Sequence, residues 1–299
     1  MEFQTSVASN AKRTALIVGC GYTGVRLGRR LLEMGLRVVG TSRKADRADT
    51  HPAGLELLTG DLLDPAMLAA IEKLKPSMVG YFVPPQRADD PLSRVLDAAR
   101  SRAMEAFVYA SSSSVYGDRA GKWVDEATPI VDSETGDPLR YAAERLMSEA
   151  GQGGVPTRVC RITGIYGPGR TLRGLLETGA YTLVEGHDVW VNRIHADDLV
   201  SGFLAAWQQG TNGAVYNMVD DRPHRASEFA NLAADLNHLP RPAVISEAEA
   251  RTRYAGEELR RKLASKRIRC ARLRHDLGVQ LKYPSYLTGL PASVARESG

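Results

Sequence analysis

The chain has 299 residues, 43% hydrophobic and 25% charged, with a formal net charge of +4. That leaves room for one large domain, or a domain plus a smaller lobe. There is no run of about 18 apolar residues, so no transmembrane helix is expected. The polar start MEFQTSVASNAKR lacks the apolar stretch of a secretory signal. Cys20, Cys160 and Cys270 are widely spaced and odd in number, so neither a disulfide framework nor metal-ligand spacing is expected, and a reducing cytoplasm is the simplest compartment. A pI near 9.0 suits an acidic small ligand without implying nucleic acid.

Residues 1–13 read as a tail. TALIVG (14–19) is a buried strand, and residues 22–34 carry apolar side chains at helical spacing. Strands follow at 36–42 and 55–61. A helix at 65–74 has Pro65 in its first turn, where the missing N–H costs nothing. A strand at 77–83, a helix at 91–102, a strand at 105–111, a helix around 138–150 and a strand at 156–161 complete the alternation. Strands alternating with helices predict an α/β fold, a Rossmann doubly wound parallel sheet with right-handed crossovers, over residues 14–170. Beyond that the alternation decays. Residues 171–290 are expected to form mainly a small C-terminal substrate lobe, with segments returning to the sheet, and 291–299 a second tail.

Gly19-Cys20-Gly21-Tyr22-Thr23-Gly24 fits G-x-G-x-x-G between a strand and a helix. Gly19 allows the tight turn, Gly21 lets a pyrophosphate approach the backbone, and Gly24 lets helix and strand pack closely. The N–H groups at Tyr22 and Thr23 begin the helix, whose positive end favours phosphate. An acid at the end of the second strand would bind a ribose 2′-hydroxyl. Here Thr41-Ser42-Arg43-Lys44 has none, and Arg43 suits a 2′-phosphate, so NADP is expected over NAD. Two solvated cations are the alternative. Asp61, with Leu62 after it, closes the third strand as an adenine contact or as the start of a turn.

Further motifs follow in order: Thr59-Gly60-Asp61-Leu62, Ser111–Gly117 (SSSSVYG), Arg161 with Ile165–Arg170 (IYGPGR), His195–Leu199 (HADDL) and Tyr216-Asn217. With the glycine turn they resemble the extended short-chain dehydrogenase/reductases, the NAD-dependent epimerase/dehydratase family, over roughly residues 14–290. The G-x-G-x-x-G form and the ending from Ser265-Lys266-Arg267 to Tyr283-Pro284-Ser285-Tyr286 look more like its atypical subgroup, many of whose members lack a full active site. The resemblance implies a seven-stranded Rossmann sheet, a C-terminal lobe that closes over the nicotinamide, a small-molecule substrate such as a nucleotide sugar, and a homodimer.

The family's chemistry needs a Tyr that exchanges a proton with a substrate oxygen. A Lys four residues later lowers its pKa, and a Ser or Thr orients the oxygen. Ser112 stands at the Ser/Thr place, three before Val115, and Tyr141 lies 29 residues on. Arg145 occupies the Lys position. It supplies charge on the same helix face, but a bulkier, forked group. Either Tyr141 and Arg145 form a modified pair, or the site lacks its acid/base. Ser113 and Ser114 stand where the sugar 4,6-dehydratases carry Asp and Glu, so water elimination is not expected. Pro84-Pro85 stiffens a turn that in the family passes beside the cofactor.

His195, Asp197 and Asp198 read as a metal site or, on the resemblance, as a structural junction; the latter is expected. Arg170, Asn192, Lys266 and Arg267 are candidate substrate contacts, Lys266 and Arg267 for a diphosphate. The basic stretch at 260–269 reads equally as a solvated helix face. With only Tyr254 nearby it lacks the interleaved aromatics of a nucleic-acid site. Two functions stay open: an NAD(P)-dependent oxidoreductase or epimerase acting on a hydroxyl/carbonyl carbon, and a non-catalytic NADP-binding regulatory or scaffold protein.

Overall fold

A computed structural model describes residues 13–43, 51–87, 89–130 and 136–298. The chain divides into two compact units, one of Met1–Val83 with Asp89–Phe107, the other of Pro84–Ala88 with Val108–Gly299.

In the first unit β1 (Thr14–Val18) leads into α1 (Tyr22–Glu33), followed by β2 (Arg37–Ser42), β3 (Leu55–Thr59), α2 (Pro65–Leu74), β4 (Met78–Tyr81) and α3 (Leu92–Ala99). β1 pairs in parallel with β2 on one side and β4 on the other, and β2 pairs with β3. The chain therefore reverses its direction of travel across the sheet at β1. In open α/β sheets the carboxyl ends of strands at such a point form the ligand crevice. β1 and β4 are buried almost throughout, which is why they read as continuous apolar runs. α2 starts where it was expected because Asp64 accepts a hydrogen bond from the Ala66 amide ahead of Pro65.

The second unit holds most of β5 (Ala106–Ser112), then β6 (Trp123–Val124), α4 (Pro138–Gln152), β7 (Thr157–Ile162), β8 (Gly164–Tyr166), α5 (Arg173–Glu177), β9 (Thr182–Val184), β10 (Trp190–Val191), β11 (Arg193–His195), α6 (Ala196–Gln209) and β12 (Ala214–Met218). β13 (His224–Arg225), α7 (Ala226–Leu236), β14 (Ala243–Ile245), α8 (Glu247–Arg253), α9 (Gly256–Leu263), β15 (Arg267–Ile268), α10 (Ala271–His275) and α11 (Tyr286–Ser298) follow. Seven strands form one sheet in the order β12-β7-β5-β4-β1-β2-β3, the Rossmann-type α/β fold that the alternation predicts. β12 pairs in parallel with β7 over five residues.

Two boundaries differ from expectation. The division between units falls within β5 rather than near residue 170, because β7, β12 and the later segments share one packed body. Residues 291–298, expected as part of a tail, are helical. α11 runs to Ser298 with Pro291 inside it, and Leu290, Val294 and Tyr286 pack on Phe229, Ala233 and Tyr166. A single apolar stripe, short and broken by a proline, hides the helix from periodicity. Among the described residues no helix is long and apolar enough to cross a membrane.

Candidate functional site: a dinucleotide turn and a serine-loop cavity

The turn after β1 has the geometry its glycines require. Gly19 has φ +84°, and a Cβ there would meet the Val83 side chain at 3.0 Å. A Cβ at Gly24 would meet the Gly19 carbonyl oxygen and Ile17, each at 3.0 Å, so this position sets how closely α1 approaches β1. Gly21 differs: nothing lies within 4 Å of where its Cβ would be. It is the N-cap of α1 and offers no side-chain cap. Open space in front of an uncapped helix start is what a pyrophosphate needs. Thr41 fixes the turn from β2: its hydroxyl accepts from the Gly19 amide at 3.0 Å and its carbonyl from the Cys20 amide at 2.9 Å. Cys20 itself is buried, its thiol pushed up to about 12 by desolvation, so it packs rather than reacts.

At the end of β2, Ser42 is half-buried and Arg43 exposed; Lys44 lies outside the described residues. The Asp61 carboxylate accepts from the Leu63 amide at 2.9 Å and so starts a turn, while Leu62 is buried. Two neighbours escaped the sequence reading. Arg26 lies 3.7 Å over the Tyr22 ring, in the first turns of α1. His51 Nε2 lies 3.3 Å from the Cys20 carbonyl oxygen. Arg26 had a readable signal, the i, i+4 spacing from Tyr22; His51 is brought in by tertiary structure alone.

In the second unit a buried polar chain anchors the serine loop. Ser111 donates to Glu144 at 2.5 Å. Glu144 takes a forked pair of hydrogen bonds from Arg161, and Arg161 donates to the Tyr116 hydroxyl at 2.9 Å. The Tyr116 hydroxyl donates to Asn217 at 2.8 Å. Motif residues far apart in sequence thus meet in one network, which gives Tyr116 a structural place. Glu144, the hub, carried no sequence signal: it sits between Tyr141 and Arg145 and reads as an ordinary helix acid.

Ser112 follows the network. Its hydroxyl accepts from the Ser114 amide at 3.1 Å, while Ser114 donates to Asp137, the N-cap of α4. Ser112, Asp137, Arg260, Arg261 and Lys266 line one cavity of about 320 Å³. Lys266 is 8% exposed and its ammonium donates to the Gly117 carbonyl at 2.9 Å; burial pulls its pKa down to about 8. Tyr141 is half-buried one turn beyond Asp137, and among the described residues its hydroxyl has no hydrogen-bond partner. Arg145 points elsewhere. Its side chain is 65% exposed, pairs with Glu149 at 3.1 Å, and borders a different cavity with Glu144 and Arg161.

The remaining candidates separate. Both ends of the Asn192 amide are engaged by backbone, donating to the Lys266 carbonyl and accepting from the Ile268 amide, so Asn192 clips β15 in place. Arg267 donates to the Gly121 carbonyl at 2.7 Å and lies 5.1 Å from the ring centroids of both Trp123 and Trp190. Arg269 lies 5.2 Å from the Trp123 ring centroid and Arg225 4.2 Å from that of Trp190. The fold thus brings aromatics to the basic stretch, which the sequence alone did not reveal. Arg170 is exposed beside a separate, larger cavity. His195 caps α6 by accepting from the Asp197 amide, and Asp198 accepts from the amides of Lys282 and Tyr283, the structural junction expected of them.

The model of the NAD dependent epimerase/dehydratase family matches residues 15–218. A Bacillus subtilis protein described as an uncharacterized UDP-glucose epimerase, YtcB, is 34% identical over 103 residues, 34% of this chain and about a third (32%) of that relative's length. Protein YeeZ of Escherichia coli is 25% identical over 285 residues, 91% of this chain and 96% of the relative. Among solved structures, a functionally unknown conserved protein from Silicibacter pomeroyi DSS is 32% identical, with a TM-score of 0.82, covering 96% of this chain and 100% of that one. A Thermus thermophilus UDP-glucose 4-epimerase in complex with NAD shares the fold at 19% identity, with a TM-score of 0.79 and coverage of 96% and 99%. A glycine turn after β1, a serine loop tied to Arg161 and Asn217, and a family match over residues 15–218 agree: the chain belongs to the NAD dependent epimerase/dehydratase family.

Proposed function

We propose that the protein is an NADP-dependent oxidoreductase or epimerase acting on a hydroxyl/carbonyl carbon of an anionic small molecule, a nucleotide sugar being the class best matched. The observation that carries the reading is the cavity that gathers the Ser112 hydroxyl with Lys266, Arg260 and Arg261. One oxygen-orienting group and three cations suit a substrate with a reactive hydroxyl and a phosphate. The dinucleotide would be held by Gly19, Gly21, Tyr22, Thr23 and Gly24, with Ser42 and Arg43 at its ribose phosphate and Asp61 and Leu62 at the adenine end. The open backbone at Gly21 fits that group. When bound, it supplies a hydride acceptor and donor at the nicotinamide ring.

The protein's own residues divide the remaining work. Ser112 orients the substrate oxygen. Tyr141, unpartnered at its hydroxyl, exchanges the proton. Lys266 holds negative charge; Arg170, Asn192 and Arg267, absent from the wall of this cavity, are left out of the substrate site. Arg145 assists Tyr141 only by leaving Glu149, since the pair is exposed and worth little. The family resemblance adds a homodimer, and the buried Cys20 and Cys160 suit a reducing cytoplasm.

The exposed Arg145–Glu149 pair favours a second reading, a non-catalytic NADP-responsive protein, because it leaves Tyr141 without its cation. Turnover decides between them. Nucleotide sugars and their keto forms are incubated with NADP or NADPH while the near-ultraviolet absorbance of the reduced cofactor and the epimer ratio are followed. Turnover that falls at least about a hundredfold in Tyr141→Phe supports the enzyme. Turnover unchanged by Tyr141→Phe removes Tyr141 from the chemistry, and cofactor binding without turnover supports the second reading.

A further inference from the structure

Arg193 is a half-buried cation at the wall of a cavity in the second unit. A guanidinium has five N–H donors and remains charged at any physiological pH. In β11, beside β8, this one lies with its Cζ 3.6 Å over the Phe229 ring. Its Nε is sealed from solvent without a hydrogen-bond partner, and among the described residues the side chain makes neither a hydrogen bond nor an ion pair. Asp220 is the acid whose field reaches it. Burial pushes the Asp220 carboxyl up to about 8, so near neutral pH it is mostly uncharged and leaves the cation uncompensated. A half-buried cation without a partner is costly to a fold, and a native structure that keeps one calls for an explanation.

The surroundings supply it. Arg193 lines a cavity of about 580 Å³ together with Arg170, Thr171 and Arg173. The two acids on the wall are already engaged: Glu177 by Arg173 at 2.8 Å, and Glu297 by the Thr171 hydroxyl at 2.9 Å and the Gly169 amide at 2.5 Å. Gly164 leaves room for the guanidinium, since a Cβ there would lie 3.3 Å from Nη1. Phe229 beneath the guanidinium fixes its plane while leaving its donors free. We propose that this cavity is a binding site for an oxyanion, the phosphate or carboxylate end of a small ligand, with Arg193 as its forked receptor. The cavity shares no wall residue with the one at Ser112, and the inference stands whether or not that cavity carries out hydride chemistry.

The test is calorimetric titration of the full chain, in the presence of saturating NADP to cover the glycine turn, with inorganic pyrophosphate and separately with malonate. Saturable binding of either probe that weakens by about tenfold to a hundredfold in Arg193→Gln is expected, the range for a lost charge-assisted hydrogen bond. Pyrophosphate alone would identify a phosphate ligand, malonate alone a carboxylate. No binding of either, or binding that Arg193→Gln leaves intact, overturns the site. Should Arg193→Gln not fold, Arg193→Lys keeps the charge and removes the fork. Weakened binding then supports the assignment and unchanged affinity overturns it.

Discussion

Glu144 and Arg161 meet through a forked ion pair at 2.8 Å, with their side chains 5% and 6% exposed. The carboxylate also receives the Ser111 hydroxyl, and the guanidinium also reaches Tyr116. The pair therefore fixes both ends of the loop that presents Ser112. Replacing Glu144 with Gln leaves a buried arginine without its counter-charge, which costs about 3–5 kcal/mol. Urea unfolding should show the unfolding free energy falling by that amount, through a lower midpoint at an unchanged slope. A loss below about 1 kcal/mol would mean the pair does not hold the loop.

Asp220 gives the fold a pH dependence of defined sign. Burial is the largest influence, opposed by the Arg222 amide and by Arg193 and reinforced by Asp221 and Asp198. The folded-state pKa, about 8, lies above the value of an unfolded aspartate, so the folded state binds the extra proton between about pH 4 and pH 8. Stability is complete below that window and declines as pH rises through it. Asp220→Asn should melt with the wild type at pH 4 and above it at pH 8. Equal melting at both values would refute the burial effect.

Lys266 predicts a pH dependence of binding. Its ammonium is charged below about pH 8 and neutral above, so an anionic substrate held by it should bind more weakly from pH 7 to pH 9. Lys266→Arg keeps its charge over that range and should flatten the profile. A wild-type profile already flat across the window would release Lys266 from substrate binding.

The sequence made the first unit legible for a physical reason. Its strands are buried on both faces, so β1 and β4 stand out as apolar runs, and the Asp64-Pro65 start of α2 is written locally. The turn from Gly19 to Gly24 was legible because Gly19 and Gly24 answer local steric demands. Much of the second unit was not. Its β6, β10, β13 and β15 are two residues long, below any periodicity. The site residues with the least signal act at long range: Glu144 joins Ser111 to Arg161, and Trp123 and Trp190 enclose Arg267 from more than 70 residues away. Arg145 shows the converse limit. Its spacing from Tyr141 suggested a partnership, and the helix instead offered it Glu149, also four residues on.

The most direct measurement is the melting temperature of wild type and Gly21→Val with NADP, NADPH, NAD and NADH. A Cβ at Gly21 meets open space in the folded protein, so without cofactor the variant should lose no more than about 1 kcal/mol, the amount by which valine is the poorer helix N-cap. A ligand that binds only the folded state at about a hundredfold over its Kd adds about 2.7 kcal/mol of stability. The account predicts that NADP(H) raises the wild-type melting point more than NAD(H) and that neither stabilises Gly21→Val. No shift of the wild type with any of the four nucleotides, or an equal shift in the variant, would contradict it.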